Sequence, residues 1–397
     1  MDQQGSALSG VRVLDFTRVL AGPLCTMLLA DMGADVIKVE SPQGDDTRQW
    51  GPPWFGKGSE RQSAYYLSVN RNKRSITLNL KTDAGREIAR KLAAQSQIVV
   101  ENFKPGMMAA FGLGYDDLAA LNPALVYGSI TGYGQTGPYR DRPGYDFVIQ
   151  GQSGLMSITG AVDDEPYKVG VAISDVIAGL FAVSSLLAAL RHAERTGQGQ
   201  HVDISLLDTS IAALVNVASN ALVSGETPPR YGNAHPSIVP YQTFRAADGV
   251  FTLAVGNDRQ FASLCRLLER PDLCADPRFS TNPARVENRA ALIAILDEIF
   301  LTRTSAEWVA ALLEHDIPAG LVNDVTTAFN DPQVMARGLV QEIGGLRLVG
   351  NPIGFSATPA TVRTPPPVLG QHTEDVLRDL LGMDAAEINH LRESGAI

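Results

Sequence analysis

Residues 11–40, VRVLDFTRVLAGPLCTMLLADMGADVIKVE, determine the fold class of this chain. The apolar run 11–16 predicts a buried strand, and the β-rich run 34–40 predicts a second one. Between them, Pro23 lies in the first turn of an apolar helix and Gly33 marks its end. Strand, helix and strand within about thirty residues form a βαβ unit, which requires a parallel sheet.

The same alternation continues downstream and predicts an α/β fold, a doubly wound parallel sheet of Rossmann-like type. The predicted strands are 75–80, 98–101, 125–131 and 201–204, and the predicted helices are 83–95, 114–121 and 205–224. Gly, Pro and Asn are frequent in 225–240, which predicts a domain boundary there. We therefore expect a large domain over 1–224, a smaller α+β domain over 225–330 that opens with a β-ribbon (241–256), and a C-terminal segment, 331–397, with a helical tail over 373–394 that Thr373 caps.

The composition is that of an ordinary globular protein, with 45% hydrophobic and 19% charged residues. A formal net charge of −10 argues against nucleic acid as a partner, because phosphate neutralisation needs clustered Lys and Arg. Three scattered cysteines, Cys25, Cys265 and Cys274, predict free thiols rather than a disulfide framework. No Cys/His cluster, GxSxG or HExxH occurs, so neither a metal site nor a serine-hydrolase elbow is predicted.

The stretch 169–190 approaches the length of a membrane span. Its central Asp175 would cost ~2.5–3.5 kcal/mol in a bilayer, so we interpret the stretch as buried core, with a strand over 169–173 and a helix over 176–191. Residues 1–10 show no signal-peptide pattern. We predict a cytoplasmic protein with no membrane partner.

Asp175 is the most informative polar residue, because it stands in the most apolar stretch of the chain. A carboxylate is stable there only if it caps, pairs or reacts. An N-cap of the following helix is the common explanation. A desolvated carboxylate is also a good nucleophile toward a carbonyl carbon, and the two roles are compatible.

Several polar loops follow predicted strands, where ligands enter open α/β sheets. The first βα turn lacks GxGxxG, which disfavours dinucleotide binding, although its helix N-terminus could face a phosphate. The cations of 71–74 and Lys81 suit either a polyphosphate or a solvated face. Phe103 and Lys104 could contact a base and a phosphate or belong to an ordinary loop, and Asp146 could be a helix cap or a second polar group near the reactive centre.

Ordered sequence blocks along nearly the whole chain resemble the class III CoA-transferases, which include formyl-CoA transferase and the carnitine CoA-transferases. The blocks are GVRVLDF (10–16), AGP (21–23), GADVIKVE (33–40), NKRSI (72–76), ENFKPG (101–106), TGQGQ (196–200) and GQHT (370–373). The resemblance implies that Asp175, in the block AISD, is the nucleophile. It also implies covalent aspartyl anhydride and aspartyl-CoA thioester intermediates, coenzyme A or acyl-CoA as substrate and no tightly bound cofactor. The implied assembly is an interlocked homodimer, with the C-terminal segment returning to the large domain.

The family pattern implies a set of CoA contacts in this chain. They are Val19, Leu20, Ala21, Leu78, Asn79, Leu80, Lys81, Asn102, Phe103, Lys104, Tyr145 and Asp146. Ser41 and Ala110 stand where formyl-CoA transferase has arginines for the CoA phosphates, so Arg71, Arg74 or Lys104 would have to substitute.

The acceptor implied by the resemblance is a small dicarboxylate. Residues 232–238, GNAHPSI, replace the glycine-rich loop of formyl-CoA transferase, which disfavours oxalate and formate. Itaconate, mesaconate, malate and glutarate are the candidates, with succinyl-CoA as donor and Arg48 and His235 holding the distal carboxylate. The related 2-methylacyl-CoA racemases are the alternative, but their histidine is replaced by Tyr145, a poor acid/base for racemisation. A CoA-binding protein without turnover is the third possibility.

Overall fold

The computed structural model describes residues 5–58 and 61–397. They divide into two compact units. The first comprises the described residues up to Leu155, together with Val169–Gly225 and Gln333–Ile397. The second comprises Met156–Lys168 and Glu226–Pro332.

The first unit contains most of the regular structure. Its strands are β1 (Arg12–Asp15), β2 (Asp35–Glu40), β3 (Trp54–Phe55), β4 (Gln62–Ser63), β5 (Lys73–Thr77), β6 (Ile98–Glu101), β7 (Val126–Thr131), β8 (Gln200–Ser205), β12 (Val340–Ile343) and β13 (Leu346–Val349). Its helices are α1 (Ala21–Asp31), α2 (Ala64–Ser68), α3 (Asp83–Ala94), α4 (Met107–Ala110), α5 (Tyr115–Ala119), α6 (Asp146–Gln152), α7 (Ile173–Thr196), α8 (Leu206–Ala212), α9 (Val215–Ser224), α17 (Thr373–Leu381) and α18 (Ala385–Glu393).

The smaller unit consists of β9 (Tyr241–Arg245), β10 (Val250–Ala254), β11 (Ala319–Leu321), α10 (Asp258–Leu267), α11 (Pro271–Ala275), α12 (Asn282–Glu287), α13 (Arg289–Phe300), α14 (Ser305–Glu314) and α15 (Val325–Phe329). The helix α16 (Pro332–Ala336) begins at the last residue of this unit and otherwise belongs to the first unit. β10 pairs antiparallel with both β9 and β11, so the predicted ribbon is confirmed. Residues 156–168 belong to this unit, although the sequence places them in the large domain. The guanidinium of Arg230 donates to the carbonyls of Ala161, Ser157 and Asp164, which ties that segment to the smaller unit.

A six-stranded parallel sheet in the order β5-β2-β1-β6-β7-β8 forms the centre of the first unit, which confirms the α/β class. Successive strand residues face opposite layers, as the two-residue period requires. Val13 packs in a core with α1 and α7, whereas Leu14 packs in a second core with α3 and α17. Helices therefore cover both faces of the sheet.

Gly179 allows α7 to lie unusually close to α1. A Cβ atom at this position would stand 2.8 Å from the carbonyl oxygen of Ala21. Gly22 has a similar role one residue along α1, because a Cβ there would meet the Thr17 side chain at 2.4 Å. These glycines let the βα turn, α1 and α7 meet at backbone distance.

Three local predictions are wrong. Residues 169–173 form no strand, and α7 begins at Ile173, so Asp175 lies in its first turn while Ala172 is the N-cap. The single helix predicted over 205–224 is two helices, α8 and α9, bent by 77° where Val215 takes a φ of +43°. His372, not Thr373, caps α17.

Within the part of the chain that the structure describes, one helix, α7, is long and apolar enough to cross a membrane, and α8 with α9 would qualify only as a bent pair. The mean hydropathy of α7 over its most apolar window is 2.0, and 39% of that window is buried. The buried side of α7 packs on α1 and the sheet through Ala178, Ala182 and Leu186. Leu180 and Phe181 stay exposed.

Candidate active site

A cavity of about 440 Å³ opens at the carboxyl ends of the parallel strands. It lies beside the turns that follow β1 and β6, where the strand order reverses, and ligands of open α/β sheets bind at such switch points. The wall of this cavity includes eight of the site residues that the sequence predicted. They are Val19, Leu20, Ala21, Asn102, Phe103, Lys104, Tyr145 and Asp175.

Asp175 projects into this cavity from the first turn of α7. Burial raises the pKa of its carboxyl to about 7, and the negative charge of Asp146 adds to the shift. Among the residues that the structure describes, none donates a hydrogen bond to this carboxylate. A carboxylate that is desolvated and lacks donors keeps its nucleophilic lone pairs available.

Asp146 caps α7 from the neighbouring helix α6. One of its carboxylate oxygens accepts a hydrogen bond from the Ser174 amide at 2.8 Å, and the other accepts from the Gln150 side chain at 2.8 Å. This arrangement satisfies a free amide at the start of α7, the role that the sequence assigned to Asp175 itself. Tyr145 precedes Asp146 and is exposed at the cavity wall.

Tyr65 lies within electrostatic range of Asp175, although it lines neither cavity described here, and the sequence did not single it out. Burial raises the pKa of its phenol to about 12, and the charges of Asp175, Asp146 and Asp45 contribute. Its ring meets that of Trp50 edge-on at 5.1 Å. Tyr65 lies in the short helix α2, where the local sequence contains no motif that would have pointed to it.

Three arginines on the cavity wall were missed as well. Arg18 follows β1 and lies over the Phe103 ring at 5.2 Å, while Arg140 and Arg142 lie in the loop after β7. With Lys104, they surround the cavity with four exposed cations. Arg18 lies three residues beyond the end of β1, a position that offered a sequence signal, whereas Arg140 and Arg142 lie nine and eleven residues beyond the end of β7.

A second cavity, of about 470 Å³, shares Arg18, Asp46 and Phe103 with the first. The predicted run from Leu78 to Lys81 lines it, together with Ser41. The two cavities thus bring the predicted contacts after β1, β2, β5 and β6 to one edge of the sheet. Among the residues described, no group of three His, Cys, Asp or Glu side chains could hold a metal ion.

Residues 8–373 match the family described as CoA-transferase family III. The chain belongs to this family. It is 47% identical to the succinate–glutarate CoA-transferase of Agrobacterium fabrum, over 96% of this chain and 97% of that protein. It is 43% identical to the succinyl-CoA:glutarate CoA-transferase of Homo sapiens, over 98% of this chain and 90% of that protein.

The fold of the transferase is also similar to that of a solved structure. The crystal structure of a CAIB/BAIF family protein from Brucella suis is similar with a TM-score of 0.86 and 47% sequence identity. The similarity covers 95% of this chain and 100% of that one. Family membership makes the transferase an enzyme that acts on acyl-CoA.

The structure does not bring Arg71 and Arg74 of the transferase to either of these cavities. The Arg71 guanidinium forms a buried, bidentate ion pair with Asp31, and its side chain is only 3% exposed. Arg74 is paired in the same way with Asp35. Both cations are therefore engaged at the other end of the sheet, and the sequence could not reveal it because Asp31 and Asp35 lie about forty residues away.

Arg48 is likewise engaged in the interior. It pairs with Glu40 through two contacts of 2.7 Å, donates to the Tyr66 hydroxyl and stacks on the Tyr66 ring at 3.7 Å. Arg48 lines neither cavity, which argues against its predicted role in holding the distal carboxylate of the acceptor.

His235 lies in the smaller unit, where its ring packs against that of Tyr241. Burial lowers the pKa of His235, and the positive charge of Arg289 lowers it further. Its predicted role stays a prediction.

Proposed function

We propose that the transferase moves CoA from succinyl-CoA to a short dicarboxylic acid, with glutarate the leading acceptor. The observation that carries this proposal is the desolvated Asp175 carboxylate, in a cavity that four cations line together with Asp46 and Asp141. The relatives that use succinate, succinyl-CoA and glutarate support the choice of substrates.

The first half of the reaction forms a CoA thioester on the enzyme. The Asp175 carboxylate attacks the thioester carbonyl of succinyl-CoA, the carbon–sulfur bond breaks, and CoA thiolate leaves a succinyl–aspartyl anhydride. The thiolate then attacks the aspartyl carbonyl of the anhydride. Succinate departs, and Asp175 carries CoA as a thioester.

The second half repeats these steps in reverse order. The acceptor carboxylate attacks the aspartyl thioester and forms a new anhydride while CoA thiolate leaves. The thiolate attacks the acceptor's carbonyl, which releases the new acyl-CoA and restores the Asp175 carboxylate. The overall reaction exchanges one thioester for another of similar energy, so no ATP is needed. Backbone amides at the start of α1 line the same cavity and are our candidates for stabilising the oxyanions.

Four cations compensate for the missing arginines at Ser41 and Ala110. In our proposal Arg18, Lys104, Arg140 and Arg142 hold the CoA phosphates, because these side chains are exposed on the cavity wall. Arg18 also stacks on Phe103, which keeps a flat apolar surface available beside the charge. This set replaces Arg71 and Arg74, whose guanidinium groups are held by carboxylates.

The proposed enzyme is a homodimer. Apolar side chains on α7 and α9 are exposed in the single chain, with Leu222 and Val223 at 86% and 88%. Contiguous exposed apolar surface is typical of a protein interface. A second copy of the chain is the partner that we propose, in an interlocked arrangement, and the cytoplasmic location stays a prediction.

The racemase alternative is less well supported. Racemisation of a 2-methylacyl-CoA needs two acid/base groups with a suitable pKa on opposite faces of the α-carbon. Asp175 is one such group, but Tyr145, which is exposed, takes the place of the histidine that the racemases use as the second one.

The test is a mass-spectrometric assay of thioester exchange. The protein is mixed with succinyl-CoA and, separately, glutarate, mesaconate, itaconate, malate and a monocarboxylate, and new acyl-CoA species are quantified. We expect glutaryl-CoA to form fastest. Asp175→Ala should lower its rate by about 10³-fold or more, because the covalent route is lost.

Asp297→Ala is the matched control. Asp297 is also a helical aspartate whose pKa is raised by burial, but it lies on α13 in the smaller unit. The Asp297→Ala protein should exchange CoA at the rate of the unsubstituted protein. Transfer that persists in Asp175→Ala would contradict the covalent mechanism, and α-deuterium exchange in a 2-methylacyl-CoA without any new thioester would favour the racemase.

A further inference from the structure

The turn after β1 has a strained backbone at the cavity wall. Val19 has a φ of +70°, in the left-handed region that β-branched residues rarely occupy. This residue lines the cavity and stands directly before the N-terminal residues of α1. Such strain persists only where surrounding contacts enforce it, and it concentrates at functional sites.

Asn102 provides two of the enforcing contacts. Its side-chain oxygen accepts a hydrogen bond from the Arg18 amide at 2.9 Å, and its side-chain nitrogen donates to the Arg18 carbonyl at 2.7 Å. The Asn102 side chain therefore holds both the amide and the carbonyl group of Arg18, the residue before Val19. These two bonds use one acceptor site and one N–H donor of the Asn102 amide and leave one of each.

A buried ion pair provides the other contacts. The Val19 amide donates to the Asp45 carboxylate at 3.3 Å, and the Lys38 ammonium donates to the Thr17 carbonyl at 2.8 Å. Lys38 and Asp45 are joined to each other at 3.0 Å, and both side chains are fully buried. The turn is thus held from the β2 side by this pair and from the β6 side by Asn102.

We infer that Asn102 is a positioning residue, which together with the Lys38–Asp45 pair holds the Arg18–Val19 turn in its left-handed form so that the wall of the CoA cavity is preformed. Arg18 and the start of α1 take their places from this turn. The inference rests on the proposed CoA site but assigns Asn102 an indirect role there. Without the clamp, Val19 would return to a negative φ, and the cavity wall would have to be rebuilt each time that CoA binds.

Glycine at position 19 distinguishes a clamp from a direct contact. Glycine adopts a positive φ without steric cost, so a turn with Val19→Gly needs the clamp less. We expect Asn102→Ala to raise the KM for succinyl-CoA about tenfold with a smaller change in kcat. In the Val19→Gly background the same substitution should raise KM by no more than about threefold, which is the coupling that a double-mutant cycle measures.

Asn122→Ala is the control for simple loss of stability. Asn122 also bridges two backbone segments, donating to the Ser96 carbonyl at 3.0 Å and accepting from the Ala124 amide at 3.2 Å, but it lies at the opposite end of the sheet. It should lower the melting temperature and leave KM unchanged. Should Asn102→Ala not fold, Asn102→Asp is used in the same cycle, since it keeps the acceptor for the Arg18 amide and loses the donor, and the negative charge that it adds is common to both backgrounds.

Calorimetric titration with CoA distinguishes a failure of the proposed clamp from a failure of the proposed CoA site. An equal Asn102 effect in both backgrounds, with CoA binding intact in the unsubstituted protein, would overturn the clamp and indicate a direct contact. An unchanged KM in Asn102→Ala would overturn it as well. Failure of the unsubstituted protein to bind CoA would instead refute the proposed function.

Discussion

Buried carboxylates in this transferase fall into two groups that differ in their partners. Burial alone would raise the pKa of Asp15, Glu40 and Asp45, but facing cations more than offset it, and the pKa of each lies below its ordinary value. Asp175 has no such cation, and the nearby Asp146 carboxylate shifts its pKa further upward. The protein thus pairs these three structural carboxylates with cations and leaves Asp175 without one, as it does the buried Glu101, whose pKa burial also raises to about 7.

The pKa of Asp175 predicts how stability depends on pH. Its pKa is about 7 in the folded chain and near 3.8 when unfolded, so between these values the folded state binds more protons. Stability therefore falls as pH rises from about 4 to about 7. We expect Asp175→Asn to raise the melting temperature at pH 8 and to have little effect at pH 4, as measured by calorimetry. An equal effect at both values would contradict the raised pKa.

The pairing of α1 with α7 shows how elements deliver the nucleophile. Asp175 stands one turn before Gly179, and Gly179 is the point where α7 touches the Ala21 carbonyl. Ala21 in turn lines the cavity. The distance between these helices therefore sets the distance between the nucleophile and the first βα turn.

Gly179→Ala should be destabilising, although alanine is the better helix former by ~1 kcal/mol. The added methyl would meet the Ala21 carbonyl at 2.8 Å, and such overpacking costs about 1–3 kcal/mol. We expect a lower midpoint in urea and a reduced kcat, because α7 must move away from α1.

Gly170→Ala provides the comparison for that experiment. Its Cβ would meet nothing within 4 Å, and the residue lies in the same stretch just before α7. It should leave both the urea midpoint and kcat near their original values. A Gly179→Ala protein with unchanged kcat would mean that the α1–α7 contact does not position Asp175.

The whole molecule is expected to be a dimer, since α7 and α9 expose large apolar side chains in the single chain. Light scattering should give twice the 42.4 kDa chain mass. Interlocked chains cannot separate without unfolding, so the mass should not fall on dilution.

Charge on the α9 surface tests the same expectation. Leu222→Glu combined with Val223→Glu should reduce the yield of dimer and of activity, because burying two carboxylates in an apolar contact is costly. Val325→Glu is the control, since Val325 is 71% exposed in the smaller unit. A monomeric, active unsubstituted protein would refute the proposed assembly.

The sequence by itself determined the α/β class, the parallel sheet and Asp175 as the candidate nucleophile. Strands such as β1, β2 and β7 were predictable because their apolar runs are local and bounded by glycine or polar residues. The sequence blocks shared with the family indicated the class of reaction, because they combine many positions in a fixed order.

The tertiary structure alone decided which charged residues are free to act. Arg48, Arg71 and Arg74 look available in the sequence, yet each is held by a carboxylate at least eight positions away along the chain. Tyr65 carries no local signal, and only the fold brings it within electrostatic range of Asp175. Side-chain partners are set by which strands lie side by side and by the geometry of burial, and a local pattern of residues contains neither.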